Sequence, residues 1–272
     1  MNEKNYSQEA KKLFTSKLKK YNENDILEIK LLSGGFTNKC FFIITNDNKK
    51  YFVRLGNSKM NRTNEFSYLK ASKEIKKYFY YDFDTGNAIK KWNEGHTSTF
   101  EECLQERIFE KIIKEIKRIQ KIKLRKIPKI KTRDFYCFLS ISKLDEKYIL
   151  KYKEIINKYS ELKKVLSHND IRPSNIIINN SKVKVIDYEW CTLSNKYWDL
   201  ANISRELDYP IDKLEIIFKK YFKKLDFNIF KEMLFATTCF AVQWTFFEKE
   251  SDELLKYRKN AIRIMESYYA IL

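Results

Sequence analysis

Apolar residues recur at helical intervals near the start of the chain. Ala10, Leu13, Phe14, Leu18 and Tyr21 predict an amphipathic helix over residues 8–21, docked on a core. The pattern then changes to one of period two. ILEIKLLS, KCFFIITN and KKYFVRLG read as three strands, the last two joined by a turn at Asp47 and Asn48. Helical spacing returns in NRTNEFSYLKASKEIKKYF, with Tyr68, Ala71, Ile75 and Tyr78 on one stripe. Residues 79–100 hold Gly86 and Gly95 and no sustained helical period, which predicts further strand and a connection. From Glu101 to Arg125 there is no Gly or Pro, and Leu104, Ile108, Ile112, Ile116 and Ile119 predict a long helix. Later helices are expected over residues 145–166, 212–224, 228–249 and 252–271. A hairpin, NIIINNSKVKVID, interrupts them and delivers Asp187 at a strand end.

This order predicts an α+β chain with two lobes: a β-rich lobe over residues 1–91 and a mainly helical one over 92–272. No internal repeat or low-complexity linker divides it further.

Two places carry candidate chemistry. The first is SGGFTN, residues 33–38, between the first two strands. The whole chain has five glycines, so the adjacent pair Gly34 and Gly35 marks a backbone need, either positive φ or close approach to a ligand. Arg54 on the third strand and Glu65 in the first turn of the following helix are placed to pair, and such a pair can hold the cation against nucleotide phosphates.

The second is HNDIRPSN, residues 168–175, followed by the hairpin that ends at Asp187. Phosphoryl transfer to an alcohol needs an acceptor for the hydroxyl proton and oxygen ligands for a divalent ion that bridges the nucleotide phosphates. Asp170, Asn175 and Asp187 supply side-chain oxygens of the kind that suits Mg²⁺, and the set contains no thiolate.

HNDIRPSN with IDYEW resembles the catalytic and metal-binding loops of the choline/ethanolamine kinase family, within the wider aminoglycoside phosphotransferase-like and protein-kinase-like fold. The similarity continues through DLANISRE, where Asp199, Asn202 and Glu206 match the family pattern, and reaches SGGFTN and YFVRLG at the front. The resemblance implies a two-lobed kinase-like fold: a small antiparallel β-sheet lobe with a helix that binds the nucleotide, and a larger mainly α-helical lobe for catalysis and substrate. It implies ATP and Mg²⁺ as cofactors, Asp170 as catalytic base, Asn175 and Asp187 as metal ligands, and Arg54, partnered by Glu65, as the phosphate-pairing cation. Ser33, Gly34, Gly35, Phe36, Thr37 and Asn38 would approach the nucleotide. His168 and Asp199 are implied as structural residues that hold the catalytic loop.

The implied acceptor is choline, with ethanolamine, other small amines and aminoglycosides as alternatives. A quaternary ammonium has no N–H to donate, so aromatic faces and local negative charge must recognise it, each cation–π contact being worth roughly 0.5–2 kcal/mol. Residues 187–199 are locally acidic, with Asp187, Glu189 and Asp199 against Lys196. AVQWTFFEK resembles the late helix that supplies tryptophans to the family's choline pocket. Trp244 and Phe247, three apart, are expected on one helix face, and this chain has one tryptophan plus phenylalanine where many members have two tryptophans. Glu189 and Trp190 complete the candidate acceptor set.

Composition narrows the remaining classes. At 272 residues and 43% hydrophobic content the chain can bury a large core. The five cysteines are scattered and show no metal-ligand spacing, which points to a reducing compartment. The first residues lack the apolar core of a signal peptide, and no run approaches the roughly 20 apolar residues that span a bilayer. The expectation is a cytoplasmic protein without membrane insertion. The formal net charge of +18 raises the remoter alternative of a nucleic-acid-binding or non-catalytic kinase-like module. Lysines that alternate with isoleucines, as in KIIKEIKRIQKIKLRK, are instead the mark of a solvated helix face, and no nucleic-acid partner is expected. Oligomeric state has no signature in the sequence.

Overall fold

Alternation along residues 39–55 builds the first sheet. The computed structural model describes residues 3–32, 38–59, 61–126 and 130–272. They form two units, Met1–Gly95 with Arg125–Ile130, and His96–Leu124 with Lys131–Leu272.

In the first unit, α1 (Glu3–Lys17) packs on an antiparallel sheet of β1 (Ile26–Leu31), β2 (Lys39–Thr45), β3 (Lys50–Leu55), β4 (Tyr78–Tyr81) and β5 (Ala88–Lys91), in the order β1-β2-β3-β5-β4. Phe41 and Ile43 of β2, Tyr51 and Val53 of β3 and Ile89 of β5 form one buried cluster with Ala10 and Phe14 of α1. Burying each of these larger side chains contributes about 1.5–3 kcal/mol. The Tyr21 and Tyr51 hydroxyls meet at 2.9 Å, and Tyr21 donates to Asp47 at 2.9 Å in the β2–β3 turn. There Asn48 takes φ 57, as a turn residue can.

Because successive side chains alternate, Arg54 points to the face opposite Val53, and α2 (Thr63–Ala71) brings Glu65 to it. The helix is shorter than the sequence pattern predicts. Lys73 takes φ 63, a short 3₁₀ turn follows over Glu74–Lys77, and Tyr78 enters β4 in place of continuing the stripe. The run YFYY is aromatic and favours a pleated surface, which overrides its helical spacing.

The second unit contains β6 (His96–Thr97), α3 (Phe100–Leu104), α4 (Glu106–Gln120), α5 (Glu146–Lys158), β7 (Lys164–Ser167), β8 (Ile176–Asn179), β9 (Lys182–Val185), β10 (Thr192–Asn195), α6 (Trp198–Glu206), α7 (Ile211–Tyr221), α8 (Phe227–Thr245) and α9 (Asp252–Tyr269). The long helix expected from Glu101 is two helices, broken at Gln105 with ψ 121. Thr99 caps the first through a reciprocal capping box with Glu102. The second buries Ile108, Phe109, Ile112, Ile113, Ile116 and Ile119. Residues 164–166, expected as the end of a helix, are instead strand β7, paired antiparallel with β10. The hairpin β8–β9 forms where its alternation predicts, and β6 adds to its outer edge. α8 is buried along most of its length. Among the described residues no helix is long and apolar enough to cross a membrane.

Gly56, which follows β3, has no room for a side chain. A Cβ there would stand 2.3 Å from the Thr85 carbonyl oxygen and 2.4 Å from the Gly86 carbonyl carbon. Neither backbone atom can turn aside. Gly56→Ala is expected to cost about 1–3 kcal/mol, the usual penalty of overpacking, read as a lower denaturant midpoint. An unchanged midpoint would show that the approach of the two backbones relaxes freely.

Candidate active site

One face of α6 organises the loop that follows β7. Asp199, Asn202 and Glu206 lie three and four residues apart, hence in a row along the helix. The Asp199 carboxylate accepts the His168 N–H on Oδ2 and the Asn169 N–H on Oδ1, both at 2.8 Å. Asn202 Oδ1 accepts the Ile171 N–H at 2.8 Å. The N–H between these, that of Asp170, donates to His168 Nδ1 at 3.2 Å. His168 Nε2, 2.9 Å from the Ile186 carbonyl oxygen, is therefore the donor nitrogen, and the ring is neutral. Asn169 adopts φ 67, and its side-chain amide reaches the Trp190 carbonyl at 2.9 Å and Thr192 Oγ1 at 2.8 Å.

Burial sets the titration of the two anchors. It pushes His168 down to about 4 against the pull of Asp170 and the Ile186 carbonyl. It pushes Asp199 up to about 6 against its two N–H donors and the charge of Arg133.

Asp170 is half-buried, and its carboxylate is held from one side by the Asn175 amide, Nδ2 to Oδ2 at 2.7 Å. The same nitrogen donates to the Asp170 carbonyl at 2.8 Å. With its NH₂ committed to Asp170, Asn175 has only its amide oxygen to offer elsewhere. Its backbone carbonyl accepts the Ile186 N–H at 2.9 Å, so Asp187 follows directly on a residue tied to Asn175. Asp187 has φ 65 and is exposed. Among the described residues no cluster of three or more His, Cys, Asp or Glu could hold a metal. One amide and one carboxylate oxygen are nonetheless a set that fits Mg²⁺, which keeps waters and substrate phosphates around few protein ligands.

Beyond Asn202, the row on α6 ends in an ion pair that the sequence pattern does not reveal. Arg205 Nη1 donates to Glu206 Oε1 at 2.6 Å, and the Tyr257 hydroxyl of α9 donates to the same oxygen at 2.8 Å. Arg205 Nη1 also reaches the Tyr257 hydroxyl at 2.8 Å. Arg172 stands nearby, its Nε 3.5 Å from Asp170 Oδ2. Burial depresses Arg172, but the charges of Asp170, Glu206, Tyr257 and Asp187 outweigh it and hold the guanidinium above its ordinary value. Trp244 meets the Tyr257 ring edge-on at 6.3 Å. Phe247 is not on the same helical face as expected: α8 ends at Thr245, and Phe247 lies past it, exposed and 5.5 Å from the Phe138 ring. Glu189 and Trp190 lie between Asp187 and β10, both half-buried. Arg205 and Tyr257 could have been flagged only by pairing a charge on α6 with a helix some fifty residues later.

In the first unit, Ser33, Gly34, Gly35, Phe36 and Thr37 lie outside the described residues. Asn38 is described and buried, and its Oδ1 accepts Arg62 Nη2 at 2.8 Å. Arg54 pairs with Glu65 through Nη1–Oε1 at 2.8 Å and Nη2–Oε2 at 3.3 Å, and its Nε donates to the Gly86 carbonyl at 2.7 Å. Arg62, absent from the sequence-based set, takes Glu65 Oε2 at 3.1 Å. All three side chains are buried. Burial would raise the Glu65 carboxyl, but the two guanidinium groups hold it below its usual range.

Glu65→Gln leaves two buried guanidinium groups without their carboxylate and is expected to cost about 3–5 kcal/mol, seen in the denaturant midpoint. A loss below 1 kcal/mol would mean that the arginines find other partners. The loop anchors predict a pH effect with two opposing signs. Between pH 6.5 and 4, the unfolded chain protonates His168 while the fold does not, so acidification costs stability. As pH falls through 6 toward 3.8, the fold takes up a proton on Asp199 before the unfolded chain does, which adds stability. Asp199→Asn removes the second effect and should make the loss between pH 6.5 and 4 steeper by about 2–3 kcal/mol, measured from denaturant midpoints across pH. Parallel curves for the two proteins would contradict the raised Asp199.

The choline/ethanolamine kinase family matches residues 29–224. A relative in Mycoplasma pneumoniae is 30% identical over 240 residues, which cover 86% of this chain and 83% of the relative. The crystal structure of a choline kinase from Streptococcus pneumoniae aligns with a TM-score of 0.75 at 18% identity, over 94% of this chain and 99% of that one. The GDP complex of an aminoglycoside 2'-phosphotransferase aligns with a TM-score of 0.69 at 12% identity, over 96% and 98%. At such identities the two structures show a common kinase-like fold, with an antiparallel sheet lobe and a helical lobe. The family match over well more than half of the residues goes further: the chain belongs to the choline/ethanolamine kinase family, small-molecule phosphotransferases built on that fold.

Proposed function

We propose that this chain transfers the γ-phosphoryl group of ATP to the hydroxyl of a small amino alcohol of the choline and ethanolamine class. The observation that carries the reading is the bond from Asn175 Nδ2 to Asp170 Oδ2 at 2.7 Å. It orients the carboxylate and leaves the Asn175 oxygen, with the neighbouring Asp187, for a metal ion.

Asp170 accepts the hydroxyl proton as the alcohol oxygen bonds to the γ-phosphorus and the bond to the β,γ-bridging oxygen breaks, releasing ADP. Asn175 and Asp187 would hold Mg²⁺, which when bound neutralises charge on the nucleotide phosphates. Residues 1–91 take the nucleotide, and Arg54, fixed by Glu65, pairs with its phosphates. Residues 92–272 supply catalysis and the acceptor site. His168 and Asp199 position the loop without touching substrate. Positioning and charge do most of the work, since a largely dissociative transfer needs little activation of the alcohol.

Choline is the acceptor the family resemblance implies, beside ethanolamine, with the aromatics Trp244 and Phe247 and the acidic stretch 187–199 in its support. With Phe247 beyond the helix end, the aromatic surface near Glu206 is Trp244 with Tyr257, while Glu189 and Trp190 flank Asp187. That supports an amino alcohol and leaves its degree of N-methylation to the charges around it. ATP as donor fits a cytoplasmic setting.

Asp170→Ala should lower turnover by about 10²–10⁴, the range for loss of a general base, with the folding midpoint retained. The measurement is ADP release from ATP and Mg²⁺ across choline, ethanolamine and aminoglycosides. Wild-type turnover in the folded variant would remove the proposed base, and activity on aminoglycosides alone would replace the proposed acceptor.

A further inference from the structure

We propose that Arg205 is a specificity-determining residue: by occupying Glu206, it turns the acceptor site toward ammonium groups that carry an N–H and away from quaternary ammonium. This rests on the acceptor reading above and names the kind of amine that reading admits.

A permanent cation without an N–H is held by net negative charge and aromatic faces alone. Two of the carboxylates beside the loop, Asp170 and Glu206, are already matched. Asp170 has Arg172 at 3.5 Å, and Glu206 has Arg205 at 2.6 Å. The Arg205–Glu206 pair is close to fully buried, with side chains 10% and 12% exposed, so water does little to screen either partner. A trimethylammonium brought to this place meets a neutral pair with its positive end held in position, and two aromatic rings.

A primary ammonium meets something different. Arg205 and the Tyr257 hydroxyl both bind Glu206 through one oxygen, Oε1. The second oxygen, Oε2, can accept an N–H from a ligand, and a charge-assisted hydrogen bond of that kind is among the strong ones. Each methyl added to the nitrogen removes a donor, and the fourth substituent removes the last. The placement follows from the fold. Asn202, one turn before Glu206, holds the Ile171 N–H, so the end of α6 falls beside Arg172, the next residue of the loop but one after Asp170. The charge of Asp170 acts on Arg205 as well as on Arg172, which puts both guanidinium groups within its field.

The test is kcat/KM for ethanolamine, N-methylethanolamine, N,N-dimethylethanolamine and choline, in the wild type, Arg205→Met and Arg205→Lys, each checked for folding by its denaturant midpoint. In the wild type, kcat/KM should fall along the series, by about tenfold between ethanolamine and choline, the size of one good polar contact. Arg205→Met should raise choline toward ethanolamine through a lower KM for choline, with KM for ATP unchanged. Arg205→Lys, which keeps the charge, should retain the wild-type order. Choline equal to or better than ethanolamine in the wild type overturns the proposal, as does a ratio that Arg205→Met leaves in place. If the Met variant does not fold, the wild-type series alone decides. Absence of activity on all four alcohols in a folded protein that hydrolyses or transfers from ATP would overturn the acceptor reading itself, and this proposal with it.

Discussion

The loop that follows β7 exists in its observed form because one buried carboxylate, Asp199, accepts two consecutive backbone N–H groups at 2.8 Å. A loop has no ladder to satisfy its donors, and each buried donor left unpaired costs about 1–3 kcal/mol. Asp199 supplies both acceptors from a single rigid side chain on α6. Asn202 supplies a third, so the loop takes its shape from the helix. Two residues in it or beside it, Asn169 and Asp187, take left-handed backbone angles. Asn and Asp tolerate that region better than other side chains, and here the surrounding bonds hold Asn169 in place. Asp170 and Asn175 then have little freedom, and the bond between them is the outcome.

The first unit solves a different problem with similar means. Arg54 is driven to the buried face of β3 by strand alternation, and an unpaired guanidinium there would be intolerable. Glu65 meets it, but one carboxylate lies between two arginines, since Arg62 takes its other oxygen. The Gly86 carbonyl and Asn38 accept from the two arginines and complete the network. Such a network fixes Arg54 more firmly than a simple pair would, at the cost of desolvating three charges.

Much of this was legible in the sequence, and the gaps have physical causes. Strand alternation around Phe41, Ile43, Tyr51 and Val53, the β2–β3 turn and the β8–β9 hairpin are local patterns, and they form where the pattern puts them. The pairing of Arg54 with Glu65 follows from a strand parity and a first helical turn. Arg62 was hidden because an arginine just before a helix in a Lys-rich chain looks like solvated charge. Residues 164–166 fall within the helix expected over 145–166, and only pairing with β10, about thirty residues on, makes KVLS a strand. The position of Phe247 has a similar cause: spacing alone does not show that the helix stops at Thr245. Arg205 and Tyr257 meet across 52 positions, a distance at which no periodicity speaks.

The same contrast between local and distant effects governs charge. A net charge of +18 would be expected to repel a cationic acceptor, yet beyond about 8 Å at physiological salt exposed lysines are screened. What an acceptor would meet is the short list of charged groups close to it, which intervening water screens least. In that list Asp170 is matched by Arg172 and Glu206 by Arg205, so the surface excess and the pocket balance are separate quantities. Family membership cannot substitute for this local count, because a single arginine beside Glu206 changes it by a full unit. On the proposed reading, selectivity toward the amine is set where Arg205 and the Tyr257 hydroxyl share one oxygen of Glu206, and the lysine-rich exterior is free to vary without altering it.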